Sequence, residues 1–343
     1  MVLGTNAKTS QLDMNGISGL LKTDLASRLG GGPADGTLHP AILPLIHNVR
    51  QAVVVDAGKL ELVLAAMLAQ GHVLLDDVPG MGKTLLAKAL ARSVHASFKR
   101  VQCTPDLLPS DITGGAIYNQ REQHFEFVPG PIFANVVLVD EVNRASPRTQ
   151  SSLLESMAES QVSVDGFTYP LDKPFFVIAT QNPVEMAGTF PLPEAQLDRF
   201  LIALDLGYPQ FEDEVSILER EEHADPIESI SAVMSLETIL SLQTAARAVD
   251  VVRPIKEYIV HLLNATRTHP QVVVGVSPRG GVALQRCIQS LALICNRTFV
   301  TPDDVKTAAP AVMAHRLLTR DRRMETGRAV IEEILDSVRV PVE

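Results

Sequence analysis

The run His72-Val73-Leu74-Leu75 leads through Asp76 into Asp77-Val78-Pro79-Gly80-Met81-Gly82-Lys83-Thr84, and Thr84–Val94 carries apolar residues at helical spacing. A short apolar strand, a glycine-rich turn and a helix in immediate succession leave few folds open, because together they form a phosphate-binding loop. The glycines let backbone N–H groups converge on phosphate oxygens, and the helix N-terminus adds its partial positive charge. Val78, Pro79, Gly80, Met81, Gly82, Lys83, Thr84 and Leu85 are therefore predicted to cradle a nucleotide. Lys83 is expected to reach the β- and γ-phosphates, and the Thr84 hydroxyl to hold Mg²⁺. One position departs from the general pattern, which begins with Gly where this chain has Asp77. Asp77 is expected to add a carboxylate near the phosphates and to take up the loop-opening conformation without a glycine's freedom.

A second apolar run, Val136-Val137-Leu138-Val139, ends in Asp140-Glu141. Carboxylates at the C-terminal edge of a parallel sheet stand where such folds bind ligands. In that position Asp140 is expected to hold Mg²⁺ through water, and Glu141 to polarise an attacking water as general base. A solvated strand-end pair is the alternative for the same two residues. A third run, Phe175–Ala179, leads through Thr180 and Gln181 to Asn182. Strand-end asparagines are commonly turn residues. The place of Asn182 in this series of strands points instead to orienting the water or touching the γ-phosphate.

Phe98–Val101 and Leu201–Leu206 complete the set of short apolar runs, and helical stretches such as Gln150–Ser160 lie between them. Buried apolar strands alternating with helices predict an α/β fold, a parallel sheet covered on both faces. After Gly207-Tyr208-Pro209 the strand signals stop, and four or five helical segments follow. Ser277-Pro278 and Thr301-Pro302 mark two of their N-termini. Residues 1–38, which end near Gly30-Gly31-Gly32-Pro33, read as a mobile tail with one short helix near Ile17–Leu29. The predicted organisation is thus a tail over 1–38, an αβα core over 39–207 and a smaller all-helical lid over 208–343. With 343 residues the chain has length enough for both parts to bury a core.

A formal charge of −10 disfavours general affinity for nucleic acid or an anionic membrane. No apolar run approaches the roughly 20 residues that span a bilayer, and the N-terminus shows no signal pattern. Cys103, Cys287 and Cys295 are too few and too scattered for a disulfide framework or a zinc knuckle, so buried thiols in the cytoplasm are expected.

Several blocks together resemble the MoxR family of AAA+ ATPases: Leu107–Gly114, Gly130–Asn135, Asp140–Ala145, Ala179–Pro183 and Gly188–Phe200. They occur in family order, and the likeness runs from about His39 to Leu318. The resemblance implies an AAA+ core and helical lid that bind ATP with Mg²⁺, hydrolyse it to ADP and phosphate, and assemble into hexameric rings. It implies that Asn182 is the sensor-1 residue, that Arg199 is an arginine finger offered to the neighbouring subunit, and that Arg279 is the sensor-2 arginine of the lid. It also implies a β-containing insertion near 159–170 that interrupts a core helix and faces the ring pore. Val53-Val54-Val55-Asp56 departs from the family's Val-Gly-Gln, where adenine contacts fall. Arg144 follows the acidic pair as in the family, with a structural interface contact one reading of it, and His315 is expected to be buried packing.

By resemblance the chain would act as a chaperone-like remodeller or activator of client proteins, with a von Willebrand A domain protein as partner. A nucleotide-gated scaffold with little turnover is the alternative, favoured only by Asp77. A nucleic-acid motor is opposed by the charge and by the lack of an appended DNA-binding module. A metal-chelatase motor subunit stands last.

Overall fold

The computed structural model describes residues 38–78, 80–182, 188–221 and 226–341. The expected tail helix near Ile17–Leu29, the loop residue Pro79 and Pro183 lie outside the described residues. From Leu38 onward the chain forms one compact unit.

Its centre is a five-stranded parallel sheet in the order β2-β5-β8-β1-β9. The strands are β1 (Val73–Asp76), β2 (Phe98–Gln102), β5 (Val136–Asp140), β8 (Phe176–Gln181) and β9 (Ile202–Leu204). Alternate residues on one strand point to opposite faces. Val73, Leu75, Leu138 and Ile178 accordingly join one apolar cluster, while Leu74, Val137, Val139, Val177 and Ala179 join another. Both faces are covered, and this is why the three central strands read as unbroken apolar runs. Over the first face lie α1 (Leu43–Ala52), α2 (Ala57–Leu68) and α3 (Lys83–Ser93). Over the second lies α5 (Pro147–Glu159), while α4 (Pro109–Thr113) and α6 (Glu194–Leu197) are short.

C-terminal to β9 come α7 (Phe211–Glu221), α8 (Leu236–Ala248), α9 (Arg253–Thr268), α10 (Pro278–Ile294), α11 (Pro302–Met313) and α12 (Met324–Ser337). The two start signals hold. The Ser277 hydroxyl caps α10 by accepting from Gly280 N, and Thr301 with Asp304 forms a capping box on α11. Leu284, Ile288 and Leu291 of α10 share the first cluster with α2, so the lid packs on the sheet's own core.

Three features differ from the sequence reading. Among the described residues six helices stand in the lid region rather than four or five, and the region also holds strands. β10 (Val272–Val274) and β11 (Leu318–Thr319) form a two-stranded antiparallel ribbon, too short for its alternation to be legible. The insertion near 159–170 is a β hairpin, β6 (Gln161–Val164) with β7 (Phe167–Pro170), but it follows α5 rather than interrupting a helix. A different hairpin, β3 (Gly114–Asn119) with β4 (His124–Pro129), separates α4 from the helical turn Pro131–Phe133. Phe127 of β4 stacks on Tyr169 of β7 with ring centroids 4.0 Å apart, and this joins the two hairpins.

His72, at the start of β1, is fully enclosed. Its Nε2 lies 3.1 Å from Met157 O, and its Nδ1 accepts from Val177 N at 3.1 Å. That pairing needs the neutral ring, and burial pushes the imidazole down to about 4 from an ordinary 6.5. Because the folded value lies below the unfolded one, the stability it confers is complete above pH 6.5 and is lost as pH falls toward 4. Glu61, pushed up to about 7 by burial, acts in the opposite sense. Comparing the parent with His72→Gln therefore isolates the histidine. The parent should lose about 2 kcal/mol more than the variant between pH 7 and pH 5, read from urea midpoints. Parallel profiles would contradict the neutral, buried assignment.

Candidate active site

The parallel register brings the tips of neighbouring strands together. Gln102 stands opposite Asp140, Leu75 opposite Thr180, and Asp76 opposite Gln181. The loop after β1 turns into α3 through Gly80 and Gly82, both left-handed with φ of 87° and 73°. Gly82 is the N-cap of α3, and no side chain caps that helix. Its first N–H groups and its dipole are thus available to an anion. Val78, Met81, Thr84 and Leu85 are half-buried along this turn and Gly80 is exposed.

Lys83 is only 9% exposed, and its Nζ donates to the Asp77 backbone oxygen at 2.7 Å. Burial holds its ammonium below the usual lysine range, opposed by Asp77, Asp140, Asp76 and Glu141 around it. The expectation for Asp77 is corrected here. Its carboxylate accepts Leu206 N at 2.5 Å and Gly207 N at 3.4 Å, so it is engaged by the chain beyond β9 rather than offered to phosphates. Nor is its backbone left-handed, so glycine's freedom is not required. Val53 stands beside the same turn, its side chain 4.0 Å from where a Cβ on Gly82 would lie, while Asp56 caps α2 through Lys59 N.

At the tip of β5 each carboxylate is held by donors. Asp140 Oδ1 accepts from Thr180 Oγ1 at 2.7 Å, and Oδ2 from Arg100 Nη2 at 2.6 Å and Nε at 3.2 Å. Glu141 sits in the left-handed region with φ 56° and ψ 50°, an arrangement costing a non-glycine residue about 1 kcal/mol. Its N–H donates to Thr180 Oγ1 at 2.9 Å. Its Oε2 accepts from Arg144 Nη1 at 3.0 Å and Gln102 Nε2 at 3.2 Å. Arg144 is thereby paired within its own chain. Arg100, Gln102 and Thr180 escaped the sequence reading because only cross-strand register brings them to the pair. Asn182 is buried just beyond β8, and its backbone oxygen accepts from Asn143 Nδ2 at 3.4 Å.

The phosphate loop, the acidic pair and Asn182 therefore share one sheet edge. The two predicted arginines lie on other elements. Arg199 is half-buried and donates from Nη1 to Leu154 O at 2.7 Å. Arg279 opens α10 with its side chain 70% exposed, its Nε 3.6 Å from Asp198 Oδ2. Between them lies Arg316, 5% exposed, which donates from Nε to Asp198 Oδ1 at 2.8 Å and from Nη2 to Phe200 O at 2.7 Å. It also bonds Leu201 O and Val312 O. His315 is buried beside it, Nε2 3.1 Å from Phe200 O, in keeping with the packing role expected. The cysteines are free; Cys103 and Cys287 are buried and their thiols pushed up to about 12 by burial.

A parallel sheet with this strand order, a phosphate loop feeding α3, an acidic pair on the neighbouring tip and a helical lid define an AAA+ ATPase. The family described as "ATPase family associated with various cellular activities" matches residues 72–202, and the AAA lid domain matches residues 264–334. The uncharacterized protein YeaC of Bacillus subtilis is 49% identical, with 89% of this chain and 97% of the relative covered. Chaperone MoxR1 of Mycobacterium tuberculosis is 40% identical, over 86% of this chain and 81% of the relative. A crystal structure of an ATPase candidate from Cytophaga hutchinsonii superposes with a TM-score of 0.81 at 35% identity, covering 95% of this chain and 99% of that one. The chain belongs to the MoxR family of AAA+ ATPases.

Arg316 joins the segment around Phe200 to the helical lid through buried, charge-assisted bonds. Arg316→Ala should cost about 3 kcal/mol or more in chemical denaturation, since it strands Asp198 and several carbonyl oxygens. A cost below about 1 kcal/mol would place the pair among surface bridges of little consequence.

Proposed function

We propose that this chain is a MoxR-type ATPase that hydrolyses ATP to ADP and phosphate within a ring of copies, hexameric by family resemblance, to remodel or activate client proteins. The observation that carries the reading is the meeting of the uncapped α3 N-terminus, Lys83 and the Asp140–Glu141 pair at one sheet edge. In this reading the core spans 39–207 and the lid 208–343, the protein works in the cytoplasm, and a von Willebrand A domain protein recruits clients. Among the described residues no helix is long and apolar enough to cross a membrane.

Each residue then has a task. Lys83 exchanges the Asp77 carbonyl for phosphate oxygens, helped by the N–H groups of the loop and α3. Thr84 and Asp140 offer oxygen donors that suit a hard cation completing its shell with phosphates and water; no group of three or more His, Cys, Asp or Glu among the described residues could hold a metal alone. Magnesium, when bound, would offset charge on the phosphate oxygens. Glu141 takes a proton from the attacking water once released from Gln102 or Arg144. Asn182 orients that water. Arg279 of the lid and Arg199 of a neighbouring copy meet the charge that develops on the transferred phosphoryl group.

A scaffold with little turnover is the second reading. It is favoured by the donors that hold Glu141 and by the bond of Arg199 to its own Leu154 carbonyl.

Two experiments separate the readings. Glu141→Gln should bind ATP with the parent's affinity and lose at least about 100-fold in turnover; parental turnover would remove Glu141 from the general-base role. ATP hydrolysis per subunit should climb with protein concentration, and Arg199→Ala should flatten that rise by on the order of 10³-fold in rate. A parent rate that stays at the Glu141→Gln level at every concentration would favour the scaffold.

A further inference from the structure

Asp77 occupies the position where a phosphate loop commonly begins with glycine, and it is 6% exposed. It is bonded in three directions, one of them from its N–H to Gln181 O at the tip of β8, 3.3 Å. Its backbone oxygen accepts Lys83 Nζ at 2.7 Å, inside the loop. Its carboxylate accepts Leu206 N at 2.5 Å and Gly207 N at 3.4 Å, in the segment between β9 and the lid. That segment is pinned from other sides as well. Lys59 of α2 donates to Asp205 at 2.9 Å and to Leu206 O at 3.0 Å, and Arg328 of α12 pairs with Asp205. Gly207 is left-handed, φ 73°, so a side chain at this bend would be strained, and its Cβ would stand 3.2 Å from Lys59 Nζ.

A glycine at position 77 would leave the loop no side chain with which to grip the lid linker. We propose that Asp77 is a positioning residue that couples occupancy of the phosphate loop to the seating of the linker Asp205–Gly207, and through Arg328 to the lid. The inference rests on the reading that Lys83 binds phosphate. When the Lys83 amine leaves the Asp77 carbonyl for a phosphate, that carbonyl loses its bond to the lysine, while the Asp77 N–H still donates to Gln181 O at 3.3 Å and the carboxylate still holds the linker. The displacement then reaches the linker through one residue, whose N–H is also tied to Gln181 at the tip of β8. A charged acceptor on two backbone N–H groups, partly out of water, is strong enough to carry it.

The test is hydrogen–deuterium exchange of the full chain, with and without a non-hydrolysable ATP analogue, alongside steady-state ATPase kinetics. In the parent, exchange of the Leu206 and Gly207 amides should change when nucleotide binds. In Asp77→Ala those amides should exchange at least about tenfold faster and no longer respond to nucleotide. The same variant should bind the analogue within about fivefold of the parent and lose about tenfold in kcat with KM little changed. Asp77→Asn keeps the shape and one acceptor oxygen, so it should recover the nucleotide response and most of kcat; it also carries the test should the alanine variant not fold. Asp77→Ala with parental kcat and a parental linker response overturns the proposal, and so does Asp77→Asn that folds and binds the analogue but loses the linker response and kcat. So does an alanine variant that loses affinity as completely as Lys83→Ala, which would place Asp77 in nucleotide binding itself. Parent protein that binds no analogue sinks the Lys83 reading together with this one, whereas a parent that binds it with an unresponsive linker sinks this one alone.

Discussion

Parallel pairing of β5, β8 and β1 is the constraint from which the site follows. Each strand is short, so a shift of one residue would move its tip by about 3.3 Å and turn its side chains to the other face. Such a slip is opposed by both apolar clusters, since every strand interleaves residues from each. The register therefore sets Thr180 beside Asp140 and Gln102 beside the acidic pair without any need for conformational choice in the loops. His72 reinforces it at the opposite end, tying the start of β1 to Val177 of β8 and to the end of α5. The candidate site is thus placed by the register of the central strands.

Charge at that edge is balanced between the acids and nearby cations. Lys83 is surrounded by four carboxylates, and Arg100 and Arg144 each hold one member of the acidic pair. Opposed charges in a partly dry site lower the energy of the whole set while leaving each ion able to exchange partners. A phosphate would compete with Asp77 O for Lys83, and a cation would compete with Arg100 for Asp140. The left-handed backbone at Glu141 is compensated by its N–H bond to Thr180, which also aims its carboxylate along the edge.

Much of this was legible in the sequence because it is local. The strand–loop–helix around Gly82, the apolar runs, the Asp140–Glu141 tip and the caps at Ser277 and Thr301 each depend on a few adjacent residues. What escaped depends on partners far along the chain. Asp77 meets Leu206 across 129 positions, and Arg316 meets Phe200 across 116. The β3–β4 hairpin escaped for a different reason: Ile117, Tyr118, Phe125 and Val128 are exposed, so its strands lack the alternation that a buried face imposes. The valines of β10 were too short a run to stand out among helices.

The long-range bonds have a common address. Arg316 grips Asp198 and Phe200 just before β9, and Arg328 and Lys59 grip Asp205 just after it. β9 itself pairs only with β1, the strand that ends in the phosphate loop. The lid is therefore fastened to both ends of the one strand that lies beside the loop, and Arg199 and Arg279 hang from the upstream fastening. A lid that shifted would have to break the contacts of buried Arg316 and the half-exposed pairs at Asp205, or carry the ends of β9 with it. The second course disturbs a three-residue strand at the edge of the sheet. The contacts that join lid and loop thus gather at the two ends of β9, with Asp77 gripping the linker just beyond it.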